Sequence, residues 1–88
     1  MIQMNTDNYV KLDNLSETQN HLLNVLWTEN KEMTLDELTK QLNRAYAAKW
    51  SKSQIRQFME SLVIKDYVKK QWHKLKIYYA ALSIESNL

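Results

Sequence analysis

Three helix-start signals followed by a change of hydrophobic period constrain this chain more than any other feature. Ser16 with Gln19, Thr34 with Glu37, and Ser51 with Gln54 each form the capping-box pattern. In that pattern a hydroxyl accepts from the backbone N–H three residues on, and the Gln or Glu side chain accepts from the first residue's N–H. Apolar residues at helical spacing accompany each start. The first set is Leu15, Leu22, Leu23, Leu26 and Trp27; the second is Leu35, Leu38 and Leu42, with Tyr46 extending it; the third is Ile55, Phe58, Met59, Leu62 and Val63. Met33 with Leu38, and Trp50 with Ile55, sit at the staple positions around the second and third starts. After Asp66 the period drops to two, and β-branched and aromatic residues dominate. Residues 67–72 and 75–80 read as strands, with His73 and Lys74 as the turn. A lone hairpin is marginal in water, so it must pack on the helices, with Val68, Leu75, Ile77 and Tyr79 as the candidates for that contact.

The expected fold class is mainly α with a small antiparallel β hairpin. Its order, helix, helix, helix, hairpin, is that of a winged helix-turn-helix: three helices plus a wing. The 88 residues suffice for one small core. Residues 1–14 have no clear period and read as a mobile N-terminal arm from which Tyr9, Val10 and Leu12 could tuck against the body; 15–82 form the domain, and 83–88 a C-terminal tail.

The chain has no Gly, Pro or Cys. Without Cys there are no disulfides, thiolate metal sites or cysteine nucleophile, which suits a reducing, cytoplasmic setting. Without Gly there is no glycine-rich phosphate loop. Turns must use Asn, Asp, Lys and His, which reach positive φ less comfortably than Gly. No apolar run is long enough for a membrane span, so no membrane partner is expected.

The net charge of +2 is small, but its distribution is uneven. Residues 1–30 carry −3, and 31–48 balance. Residues 49–76 hold seven Lys and one Arg against Glu60 and Asp66, for +6. A basic third helix beside a basic hairpin suits duplex DNA. Off the buried stripe of the third helix lie Lys52, Ser53, Gln54, Arg56 and Gln57, together with Glu60. Arg can read guanine and Gln adenine, whereas Lys69, Lys70, Lys74 and Lys76 of the wing can position the phosphate backbone. The bland reading of the same residues is a solvated face that keeps a small protein soluble.

Trp27 and Trp50 read as core and staple residues. Trp72 reads as packed on a helix, with an exposed wing aromatic as the alternative. His21 and His73 lack convincing carboxylate partners at metal-ligand spacing, and Asp36 with Glu37 is explained by the helix dipole. No Ser-His-Asp arrangement can be argued. No catalytic residue, metal site or cofactor is therefore expected, and no enzyme activity.

The run from Leu15, Ser16 and Glu17 to Val25, Leu26 and Trp27 resembles the opening helix of the penicillinase-repressor (BlaI/MecI/CopY) family. Trp50 and Ser51, then Ile55, Leu62, Val63 and Lys65, resemble its recognition-helix stretch. Val68 and the closing Tyr78, Tyr79, Ala80, Ala81 and Leu82 resemble its wing. The resemblance covers residues 15–82. It implies a bacterial winged-helix repressor that binds palindromic operators as a dimer, with the third helix in the major groove and the wing on the backbone. Where the family has Gly before the wing and at its tip, this chain has Asp66 and Lys74; where it has Thr near the start of the recognition helix, this chain has Gln54. The family's further dimerisation helices would follow the wing, and only six residues follow Leu82 here. The Cys-rich tail of its copper-responsive branch has no counterpart.

The sequence thus leads to a cytoplasmic, sequence-specific DNA-binding regulator that represses by occupying its operator. A homodimer could form through the arm, the first helix or the tail, with Val10, Leu12, Ile84 and Leu88 as the apolar residues there. The rival expectation is a winged-helix protein–protein module, an adaptor or an antagonist of another regulator or of RNA polymerase.

Overall fold

The computed structural model describes residues 10–82, which form three helices and three short strands. Helix α1 spans Glu17–Glu29, strand β1 Met33–Thr34, α2 Leu35–Tyr46, α3 Lys52–Ile64, β2 Val68–His73 and β3 Lys76–Ala81. All three capping boxes form. The hydroxyls of Ser16, Thr34 and Ser51 each accept from the backbone N–H three residues on at 3.2 Å. The Gln19, Glu37 and Gln54 side chains return the bond at 2.9 to 3.1 Å. Each helix therefore begins where its sequence signal lies, because two orphan N–H groups find partners there and nowhere else nearby.

The inward stripes meet in one core. Leu22, Leu23 and Leu26 of α1, Leu38 and Leu42 of α2, and Ile55, Met59 and Leu62 of α3 are buried, as are Met33, Val68 and Tyr79 from the strands. Trp27, Trp50, Phe58, Val63 and Ile77 pack around its edge, half-buried. Trp50 meets Phe58 edge to face, with ring centroids 5.4 Å apart.

The hairpin expected from the sequence is present as β2 and β3, and β1 joins it as a third antiparallel strand in the order β1-β3-β2. Met33 lies opposite Tyr79 and Thr34 opposite Tyr78. Two residues are too few to show an alternating pattern, so β1 left no periodic signal. Thr34 serves twice, since its extended backbone continues the strand and caps α2.

The turn differs from the expectation by one residue. His73 pairs with Lys76, so the tip is Lys74 and Leu75 rather than His73 and Lys74. Both tip residues have positive φ, 50° and 69°, as a tight type I′ hairpin requires. Leu75 consequently leaves the core face and is 92% exposed, which corrects its expected packing contact. Trp72, expected against a helix, is 66% exposed. Its strand face is the buried one, since it alternates with Val68, but it lies beyond Lys70, the residue through which β2 bonds to α3.

Positive φ also occurs at Asn30, Ala47 and Asp66. Asn30 and Ala47 close α1 and α2 in the left-handed conformation usually given to Gly. Asp66 and Lys74, at the positions where the resembled pattern has Gly, both have positive φ.

Val10 to Asn14 are held along α1 by two buried asparagines. The Asn24 side chain bonds both Val10 N–H and Val10 C=O, at 2.9 and 2.7 Å. Asn20 does the same for Leu12, at 2.8 and 3.1 Å, and also donates to the Ser16 carbonyl. Each amide thus imitates the rung of a β ladder on the side of a helix. Of the residues read as an arm and tail, 1–9 and 83–88, with Tyr9, Ile84 and Leu88, lie outside the described residues.

Candidate nucleic-acid interface

α2 and α3 form the helix-turn-helix, and one side chain fixes the joint. Asn43, in the last turn of α2, donates to the Trp50 carbonyl at 3.0 Å and accepts from the Trp50 N–H at 2.9 Å. Trp50 directly precedes the Ser51 cap. The start of α3 is therefore clamped to the end of α2 without any Gly in the turn. The sequence reading did not single out Asn43, because a polar residue in a last helical turn looks like ordinary capping.

Ile55, Met59 and Leu62 lock one side of α3 into the core, which leaves Lys52, Ser53, Gln54, Arg56 and Gln57 exposed. These five spread over much of the outer circumference rather than along one stripe. At 100° per residue, Ser53 and Gln57 point directly away from the core, with Arg56 and Gln54 to either side. Gln54 is committed, since its Oε1 accepts from both the N–H and the hydroxyl of Ser51, at 2.9 and 3.1 Å. A two-point contact with adenine needs that oxygen, so Gln57 is the better placed reader. Lys52 Nζ lies 3.7 Å from Asp36, an exposed pair that leaves the ammonium available to a phosphate.

The four wing lysines do not share a face. In the ladder Lys69 lies opposite Ala80, and Lys70 opposite buried Tyr79. Lys69 and Lys76 are on the outer face, and Lys74 is at the tip. Lys70 is on the inner face, where its Nζ donates to both oxygens of Glu60, at 2.9 and 3.0 Å. Tyr79 donates its hydroxyl to the same carboxylate at 3.1 Å. The bond from Lys70, aided by that from Tyr79, holds the Glu60 carboxyl below the usual carboxylate range despite some burial. Burial, reinforced by the bond to Glu60, pushes the Tyr79 phenol up to about 12. Glu60 thereby ties α3 to both strands of the hairpin. Lys69, Lys74 and Lys76 have no anionic partner among the described residues.

The described residues hold no cluster of three or more His, Asp or Glu that could bind a metal, and no helix long and apolar enough to cross a membrane. His73 faces Glu32 at 3.3 Å, and His21 stacks on Tyr46 with ring centroids 3.7 Å apart.

The same architecture occurs in solved winged-helix regulators. RosR of H. salinarum superposes with a TM-score of 0.70 at 20% identity over 82% of this chain and 64% of that one. RosR in the complex named hsRosR-S4 gives 0.71 at 21% identity, covering 81% and 61%. The adhesin competence repressor AdcR of Streptococcus pyogenes gives 0.65 at 21% identity, covering 98% and 58%. The chain thus spans about three fifths of the length of these proteins. Among curated proteins, none matches the chain by sequence. The profile of the penicillinase repressor family matches residues 15–88, which takes in all three helices and the wing. The chain belongs to the penicillinase repressor family.

Proposed function

We propose that this protein binds duplex DNA with α3 in the major groove and the wing along the backbone, and that it represses transcription by occupying an operator. The observation that carries this reading is the outer face of α3. Ser53, Arg56 and Gln57 stand exposed on a helix whose opposite face is fixed in the core and whose start is clamped by Asn43. Arg56 and Gln57 would read base edges, and Lys52, Lys69, Lys74 and Lys76 would neutralise phosphates. Lys70 would act through Glu60, keeping the wing at a set angle to α3. A domain of this size buries limited area on DNA, so operator affinity would come from two copies on a two-fold site.

The test is selection of duplexes from a random pool, then titration at increasing salt. A palindromic consensus, weakened by Arg56→Ala, and affinity that falls steeply with salt are the expected outcomes. Absence of any duplex binding at about 50 mM salt would refute the reading, because the phosphate contribution is largest there.

A further inference from the structure

The wing ends in a feature that neither the core nor a phosphate contact explains. Leu75 is 92% exposed at the hairpin tip and holds φ 69°, a conformation that favours Gly or Asn. Trp72, 66% exposed, lies opposite Ile77 in the ladder just below the tip. A branched apolar side chain is thus held in a strained conformation where it makes no use of the fold. Strain retained without internal benefit points to a use outside the chain. Two lysines without an anionic partner among the described residues flank it, Lys74 in the turn and Lys76 after it, and Lys69 lies further down the outer face. Glu32, the acid that faces the adjoining His73, lies 3.3 Å from it. An apolar point flanked by two cations is complementary to a groove of DNA: phosphates at the rim, stacked bases within.

We infer that Leu75, backed by Trp72, is a wedge that enters the minor groove beside the half-site, partly unstacks one base step and bends the duplex. This rests on the DNA-binding reading above. The reach is of the right order. From Lys70, fixed to α3 through Glu60, to His73 is three residues, about 10 Å at strand rise, and the turn adds a few more. The neighbouring minor groove lies half a helical turn from the major groove, roughly 17 Å. A groove about 6 Å wide admits one aliphatic side chain. Insertion of such wedges at flexible pyrimidine–purine steps is an established way to bend DNA.

The experiment compares the full chain with Leu75→Asn and Lys74→Ala on a selected duplex. Affinity is measured against salt, bending by energy transfer between the duplex ends, and unstacking by a fluorescent base analogue at the flanking step. Leu75→Asn relieves the backbone, so its thermal unfolding midpoint rises and misfolding cannot explain a loss. The expected result is about tenfold weaker binding with an unchanged salt slope, loss of bending and no base-analogue signal. Lys74→Ala instead lowers the salt slope by about one while bending persists. Equal affinity and bending for Leu75→Asn and the natural chain would overturn the wedge while leaving DNA binding intact. Loss of self-association in place of bending would also overturn it, and would assign the tip to protein contact. No DNA binding by the natural chain at all would defeat the underlying reading as well.

Discussion

Replacing Ala47 by Gly is expected to stabilise the protein, against the usual effect of glycine. Ala47 ends α2 at φ 51° and ψ 44°, in the left-handed region, with its N–H bonded to the Asn43 carbonyl. An L-residue there carries about 1–2 kcal/mol of steric strain from its Cβ. Glycine removes that strain but makes the unfolded chain more flexible, which takes back about 0.4–1 kcal/mol. Ala47 is exposed, so its methyl contributes little packing. The net gain is about 0.5–1 kcal/mol, or about 3–6 °C in Tm for a domain of this length. Ala45, two residues earlier and also exposed, is inside the helix. Ala45→Gly should therefore lower stability by about 0.5–1 kcal/mol. Urea unfolding followed by Trp fluorescence, with m-values checked for constancy, measures both. Equal losses for the two variants would refute the argument, because only the sign of φ separates the sites.

Asn43→Ala removes two bonds to the Trp50 backbone and should cost about 1–2 kcal/mol by urea unfolding, with weaker duplex binding because the start of α3 loses its clamp. Glu60→Gln should bring the Tyr79 phenol down from about 12 toward its ordinary value in an ultraviolet titration. Its effect on stability at neutral pH should stay within about 1 kcal/mol, since the Lys70 pair is partly solvated. Glu60 titrates below its ordinary value in the folded chain, so the stability it contributes is present above about pH 4.5 and is lost as pH falls. Tyr79 titrates higher when folded, so its contribution is complete below pH 10 and is lost as pH rises toward 12, by about 2–3 kcal/mol. Tyr79→Phe should flatten that alkaline loss in urea midpoints taken from pH 9 to 12.

Helix starts and the winged architecture were legible because their causes are local. A capping box lies within four residues, and a helical stripe repeats within eight. The wing was less legible because its facing depends on register. Moving the turn by one residue, from His73 and Lys74 to Lys74 and Leu75, puts Leu75 at the tip and settles which residues oppose each other. Alternation along the strand puts Lys69 and Lys70 on opposite faces, but local spacing does not show that Lys70 is bound to Glu60 while Lys69 and Lys76 face outward. The pairing of Lys70 with Glu60 spans a helix end and a turn, and no periodic signal links the two.

Asp66 and Lys74 stand where the family pattern has Gly, and both have positive φ. Asp tolerates that region because its short polar side chain bonds locally, so its strain is modest; Lys has no such relief. The hairpin therefore holds two adjacent strained residues, Lys74 and Leu75, and stays folded because the rest of the wing is over-determined. Its ladder of six cross-strand pairs, the burial of Val68 and Tyr79, and the three-way bond among Glu60, Lys70 and Tyr79 all fix the same register. Stability gathered at the base of the wing is what permits an unfavourable, outward-facing tip. The Glu60 junction thus connects the two ends of the proposed interface: it orients α3, and it keeps Leu75 and its lysines at a fixed reach from that helix.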